Sequence, residues 1–225
     1  MYLFFDIDDT LLDSSRAEHL AACDWAERHP EVFGDDPRAF AAAWRSISVD
    51  YYRRWVRGEL SFIEQRRARI RYYWPTADDA QADAHFAEYL AHYRQHWSLF
   101  ADTQPALGLL ADYCKGVITN GEPSQQSDKL RTFGLGRFFR WLVTPASAGY
   151  RKPQAGIFDV AAALAGAKAT DCCYVGDLPN DDARAARNAG WRSIWLNRRG
   201  DPPAKDIETI TTLVELPALL GVRAR

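Results

Sequence analysis

After residue 104 the chain alternates short apolar runs with helical stretches, and this constrains its fold more than any other feature. The runs are Gly116-Val-Ile118, Trp141-Leu-Val143, Cys172-Cys-Tyr-Val175 and Ser193-Ile-Trp-Leu196. Helical character marks 104–114, 124–133, 155–165 and 181–189. Strands that alternate with helices imply a parallel sheet covered on both faces. One more apolar run, Tyr2-Leu-Phe-Phe5, lies far upstream. A single strand leaves its backbone donors and acceptors without partners, so this run must join the same sheet.

Between residues 14 and 98 the pattern changes. Phe40, Trp44, Ile47, Tyr51 and Trp55 recur at helical spacing, as do Phe86, Tyr89, Leu90, Tyr93 and Trp97. Ser61-x-x-Glu64 is a capping box that opens a further helix, and Pro75 marks its end. No strand pattern occurs there. The expected architecture is a Rossmann-like three-layer α/β core with a parallel sheet, formed by residues 1–13 and 99–225. An all-helical domain of about four helices, residues 14–98, is inserted after the first strand. Asp13-Ser-Ser15 and Phe100-Ala-Asp-Thr103 are the expected hinges.

The 225 residues, 47% of them apolar, suffice for a core plus an inserted domain. A net charge of −2 gives no basic footprint for nucleic acid. Cys23, Cys114, Cys172 and Cys173 form no C-x-x-C pair and have no histidine at ligand spacing. They read as small core residues in a reducing compartment. The apolar run from Met1 to Phe5 is too short for a signal peptide or membrane span. A cytoplasmic protein, monomeric or homodimeric, with no membrane or nucleic-acid partner is expected.

Polar clusters follow the strands. Asp6-Ile-Asp8-Asp9-Thr10 follows the first, Thr119-Asn120-Gly121 the second, and Gly176-Asp177-Leu-Pro-Asn-Asp181-Asp182 the run ending at Val175. Lys152-Pro153 precedes a helix. Parallel sheets bind ligands beyond the carboxyl ends of their strands, so these clusters are expected to converge. Asp6, Asp8 and Asp177 offer hard oxygen ligands suited to Mg²⁺. Lys152 adds a positive charge, and Thr119, Asn120 and Gly121 add donors for an anion. Carboxylates for a metal beside donors for an anion point to a phosphate ester.

These residues resemble the haloacid dehalogenase-like hydrolases. The shared pattern is an apolar strand followed by D-x-D-x-T, a Thr or Ser after the second strand, a later Lys, and a Gly-Asp pair with a further Asp downstream. The resemblance implies that Asp6 is the nucleophile and Asp8 the general acid/base. It also implies that the Asp8 backbone carbonyl joins Asp6 and Asp177 around Mg²⁺, and that Thr10 orients Asp8. Thr119 and the Asn120 amide would hold phosphoryl oxygens, and Lys152 would neutralise charge on the nucleophile and the transferring group. Asp182, in rivalry with Asp181, would support the metal or Lys152. The helical insert resembles the family's cap, and the layout is similar to the branch that hydrolyses small phosphorylated metabolites: nucleotides, sugar phosphates or acid phosphates.

Three other readings compete. A phosphomutase shares the Asp pair and returns the phosphoryl group to a sugar. A haloacid dehalogenase attacks carbon and needs neither Asp8 nor the metal. A non-catalytic scaffold would have lost a motif residue, and none is lost. In the insert, Arg53, Arg54, Arg57, Arg66, Arg67, Arg69 and Arg71 read as a solvated face pairing with Glu59, Glu64 and nearby acids, with a substrate-binding patch as the rival. His85, His92 and His96 form no metal motif.

Overall fold

The computed structural model describes residues 1–202 and 204–222. The chain divides into two compact units, Met1–Asp13 with Leu99–Arg225, and Ser14–Ser98. The first opens with strand β1, Tyr2–Phe5. Leu3, Phe4 and Phe5 are fully buried, which contributes roughly 1.5–3 kcal/mol for each side chain.

Ser14–Ser98 is all helix among its described elements: α1 (Ser14–Arg28), the single turn α2 (Pro30–Phe33), α3 (Pro37–Val56), α4 (Phe62–Arg71) and α5 (Asp79–Gln95). Each long helix after α1 starts on a side-chain cap. Asp36 accepts from the amides of Arg38 and Ala39 before α3. Ser61 with Glu64, and Asp78 with Gln81, form reciprocal capping boxes before α4 and α5. The unit's core centres on Trp25 and Trp44, whose rings meet edge-on at 5.2 Å. Tyr89 closes the group, 5.0 Å from Trp44.

The arginine face pairs with Glu59 and nearby acids as expected, but not through Glu64. Glu64 is engaged in its capping box, bonding back to the Ser61 amide. Arg67 instead forks onto Asp83 at 2.8 and 2.7 Å and also reaches Asp79, and Arg71 pairs with Asp79. Arg54 and Arg57 take Glu59, as expected. Arg66 and Arg69 lie over aromatic rings: Arg66 over Phe62 and Phe86, Arg69 over Trp44 and Phe86. The packing of α4 against α5 places acids of the neighbouring helix nearer than those close in sequence.

In the α/β unit the chain continues through α6 (Thr103–Leu109), β2 (Cys114–Ile118), α7 (Pro123–Thr132), β3 (Trp141–Val143), α8 (Pro145–Ala148) and α9 (Ala155–Ala165). It then runs through β4 (Cys172–Gly176), α10 (Ala185–Asn188), β5 (Arg192–Leu196), β6 (Glu208–Ile210) and α11 (Leu216–Leu219). The strands form one sheet in the order β3-β2-β1-β4-β5-β6, and every pair is parallel. Leu3 lies opposite Lys115 on one side and Cys173 on the other. On one face Phe4, Ile118, Val143 and Tyr174 pack against Ile157, Phe158 and Ala161 of α9. A sheet buried on both faces explains why its strands read as apolar runs rather than alternating ones.

Three details differ from the sequence reading. The helix expected over 104–114 stops at Leu109, and β2 begins at Cys114. The helix expected over 181–189 begins as a widened π turn, Pro179–Arg184, before α10. β6 is an additional edge strand. No helix among the described residues is long and apolar enough to cross a membrane.

Candidate active site

The order of the strands decides where a site can form. The chain builds β1, β2 and β3 outward in one direction, then crosses to β4 on the opposite side of β1. This reversal opens a crevice at the carboxyl ends of β1 and β4, the usual ligand position in such sheets. Asp6 follows β1, Thr119 follows β2 and Asp177 follows β4. Two backbone bonds continue the ladder past the strands, Asp6 N to Val175 O and Thr119 N to Val143 O, each 3.0 Å.

Lys152 stands at the centre of this edge and is only 3% exposed. Its ammonium donates to Asp6 Oδ1 at 2.8 Å, the Tyr174 hydroxyl at 2.8 Å and Asp182 Oδ1 at 2.6 Å. An ammonium has three protons, so each finds an acceptor. Burial disfavours the charge, but the Asp182 and Asp6 carboxylates outweigh it and hold the Lys152 pKa well above the ordinary lysine value. The Asn120 side chain brackets the lysine's backbone, donating to Lys152 O at 2.9 Å and accepting from Lys152 N at 2.8 Å. Tyr174 in turn donates to Ile118 O at 2.8 Å, tying β4 to β2 across β1.

Of the rivals Asp181 and Asp182, it is Asp182 that meets Lys152. Asp182 is fully buried, and its other oxygen accepts from Leu178 N at 2.9 Å. Gly176 makes room for it: a Cβ there would lie 2.4 Å from the Asp182 carboxyl carbon. Leu178 N thus bonds the acid four residues on, within the chain of the widened turn.

Oxygens of Asp6, Asp177 and Asp182 lie within 4.8 Å of one another. Burial is the largest cause of the raised Asp6 pKa; Lys152 pulls it down, while Asp182 and Asp8 help to push it up to about 7. Asp177 is likewise held well above the usual carboxylate range by burial and by Asp182, Asp6 and Asp9, against the pull of Arg199. Carboxylates packed this closely call for a cation. A hard divalent ion held by a few carboxylates fits this donor set.

The Asp8 carboxylate lies outside this cluster. It turns away to α7, where Oδ2 accepts from Gln126 Nε2 at 2.7 Å and Oδ1 from Lys129. That leaves the backbone carbonyl as the Asp8 group for the expected metal role. Asp182 lies in the cluster, where both its oxygens also have protein partners. Thr10 departs from expectation: its buried hydroxyl has no hydrogen-bond partner among the described residues, and its carbonyl accepts from Arg198 at 3.0 Å. Thr119 Oγ1 accepts from Gly121 N at 3.1 Å, so it stabilises the turn that presents the loop amides.

Five contributors were missed from sequence: Tyr174, Gln126, Lys129, Arg198 and Arg199. Arg199 spans Asp9 Oδ2 at 2.7 Å and Asp177 Oδ2 at 3.3 Å. Asp9 has a left-handed φ of 56°, a conformation Asp tolerates better than most residues. Gln126, Lys129 and Leu130 share one buried face of α7, so two polar residues on the core side of an amphipathic helix were the available signal. Tyr174 showed only as a lone hydroxyl within an apolar run.

The family model of the haloacid dehalogenase-like hydrolases matches residues 1–190. Over its whole length the chain is similar to glyceraldehyde 3-phosphate phosphatase of Pyrococcus furiosus, at 24% identity covering 99% of this chain and 92% of that one. Its fold is similar to that of the hydrolase YfnB of Bacillus subtilis, solved bound to magnesium, with a TM-score of 0.82, 23% identity and 98% of each chain covered. It is also similar to the 2-haloacid dehalogenase of Pseudomonas syringae pv. Tomato, with a TM-score of 0.71, 28% identity, and 98% and 99% of the two chains covered.

Proposed function

The chain belongs to the haloacid dehalogenase-like hydrolases, and from that premise we propose that it is a phosphatase that hydrolyses small phosphate monoesters through Asp6. The observation that carries this is the crowding of Asp6, Asp177 and Asp182 around one point, with a second carboxylate, Asp8, two residues after the nucleophile. A dehalogenase has no use for a cation-seeking carboxylate cluster or for that second acid. The substrate class, a small phosphorylated metabolite, is supported by relatives named as a glyceraldehyde 3-phosphate phosphatase and a pyrimidine 5'-nucleotidase.

Asp6 attacks phosphorus through a carboxylate oxygen, and the bond from phosphorus to the ester oxygen breaks. Asp8 gives its proton to the departing oxygen, leaving an alcohol and an aspartyl-phosphate. Asp8, now ionised, takes a proton from water as the water oxygen attacks phosphorus. The bond from phosphorus to Asp6 breaks, and inorganic phosphate leaves. Lys152 holds Asp6 in place and offsets negative charge on the transferring group. Thr119 and the amide of Asn120 receive phosphoryl oxygens at the end of β2. Mg²⁺, held by Asp6, Asp177 and the Asp8 carbonyl with Asp182 behind them, would shield the negative nucleophile from the negative phosphate. The helical unit is assigned the role of the family's cap domain.

Release of phosphate from 4-nitrophenyl phosphate with Mg²⁺, abolished by chelation and by Asp6→Asn, tests the reading. Acid-quenched enzyme should carry a phosphoryl group that hydroxylamine removes. No turnover by the wild type, or full turnover by Asp6→Asn, refutes it.

A further inference from the structure

The Asp8 carboxylate is held at both oxygens by side chains from one helix. Gln126 Nε2 reaches Oδ2 and Lys129 Nζ reaches Oδ1. Both donors are 1% exposed, so they are built into the interior rather than borrowed from the surface. They lie three residues apart, which places them side by side on α7. Their spacing matches the two oxygens of a single carboxylate, which fixes its plane as well as its position.

Two further observations show that this arrangement is specified. Gln126 donates to Asp8 while its own buried Oε1 has no hydrogen-bond partner among the described residues. The amide is turned so that its donor meets the carboxylate, and the cost is a buried acceptor left without a partner. Gly121, in turn, leaves space for the same side chain. A Cβ at Gly121 would lie 1.7 Å from Gln126 Nε2 and 2.5 Å from Gln126 Cδ. Gly121 has no left-handed φ, so the backbone conformation does not demand glycine there. The path of the Gln126 amide does.

We propose that Gln126 and Lys129 are positioning residues that fix the Asp8 carboxylate for proton transfer to the leaving group, and that Gly121 is glycine so that Gln126 can reach it. This rests on the phosphatase reading and adds to it two side chains that meet the reacting groups through Asp8.

The test separates proton delivery from general damage by varying the leaving group. 4-Nitrophenoxide departs readily without a proton, whereas 4-methoxyphenoxide needs one, and the two phosphate esters are close in shape. The kcat/KM value covers the steps through ester cleavage, so the ratio between the esters isolates leaving-group protonation. Lys129→Met and Gln126→Met should each lower kcat/KM for the methoxy ester more than for the nitro ester, with the ratio shifting by ~10-fold or more for Lys129→Met. Lys129→Arg, which keeps a cationic donor, should restore much of the ratio. Gly121→Ala should reproduce the Gln126→Met shift, and the double variant should add nothing to either single one.

Equal losses on both esters mean that these residues serve only the fold and overturn the proposal. A gain in kcat/KM overturns it too, because it shows a resting clamp that Asp8 must leave. Asp8→Asn separates the two failures. If it shifts the ratio and Lys129→Met does not, positioning alone is refuted; if it leaves the ratio unchanged, the role of Asp8 falls and the positioning claim with it. If Lys129→Met does not fold, Gln126→Met and Gly121→Ala carry the same comparison.

Discussion

Tyr174→Phe is the most direct probe of how the site is braced. The substitution keeps the ring, which packs edge-on against Phe158 at 5.3 Å, and removes only the hydroxyl. The acceptor of one Lys152 proton at 2.8 Å goes with it, and so does the single phenolic proton, which is given to Ile118 O at 2.8 Å with Asp182 Oδ1 as a more distant second acceptor at 3.2 Å. The first is charge-assisted and is worth about 1.5–3 kcal/mol, the second about 0.5–1.5 kcal/mol. Their combined loss is about 2–4.5 kcal/mol, or roughly a 30- to 1,600-fold rise in the open population at about 1.4 kcal/mol per decade. Native-state hydrogen exchange followed by mass spectrometry reads this directly in peptides covering β2 and β4, with peptides from α1 and α3 as the internal reference. A change below about tenfold in β2 and β4 would show that the buried ammonium does not depend on Tyr174. A direct van der Waals role for the ring is excluded as the cause, because phenylalanine retains it.

Two other outcomes follow from the same geometry. Gly176→Ala puts a Cβ 2.4 Å from the Asp182 carboxyl carbon; relieving that overlap should cost about 1–3 kcal/mol of stability and lower kcat at least ~10-fold as Lys152 loses its Asp182 partner, as steady-state kinetics on 4-nitrophenyl phosphate will show. Asp102 accepts from Arg198 at 3.0 and 2.8 Å, the Thr212 hydroxyl at 2.6 Å and Leu213 N at 2.8 Å. Burial raises its pKa, but these donors, led by Arg198, overcome it and hold the carboxyl below its ordinary value. A depressed carboxylate contributes stability above its unfolded pKa of about 3.9 and loses it as pH falls through the folded value. Asp102→Asn should therefore destabilise the α/β unit at pH 7 by about 1–3 kcal/mol, and the gap to wild type should narrow below about pH 4 in urea titrations; a gap independent of pH would refute the assignment.

The layout was legible because its signals are local. A parallel sheet buried on both faces leaves apolar runs, and a site at strand ends leaves polar clusters just after those runs. Asp6, Thr119 and Asp177 announce themselves in this way. What stayed hidden depends on direction rather than identity. Nothing in the sequence around Asp8 says that its carboxylate turns toward α7, because the donors come from a helix that the fold brings in across the sheet. The choice between Asp181 and Asp182 rested on a one-residue phase, which the π turn over Pro179–Arg184 sets. β6 was missed because Glu208-Thr-Ile210 is a three-residue edge strand with a single buried apolar side chain. Glu64 was misjudged as an arginine partner because sequence shows neighbours along a helix, whereas Asp79 and Asp83 approach Arg67 from the next one.

The position of β1 in the sheet also sets an order of events during synthesis. It leaves the ribosome before the strands it pairs with, and its backbone groups find their partners only when Cys114–Ile118 and Cys172–Gly176 have followed. The whole helical unit, held largely by contacts among its own helices, emerges in that interval. The nascent chain therefore carries Tyr2–Phe5 as an apolar ribbon with two open edges for most of translation, the condition under which strands pair with the wrong neighbour. The residues that bring Asp6 to the sheet's edge are also the ones a chaperone has most reason to hold.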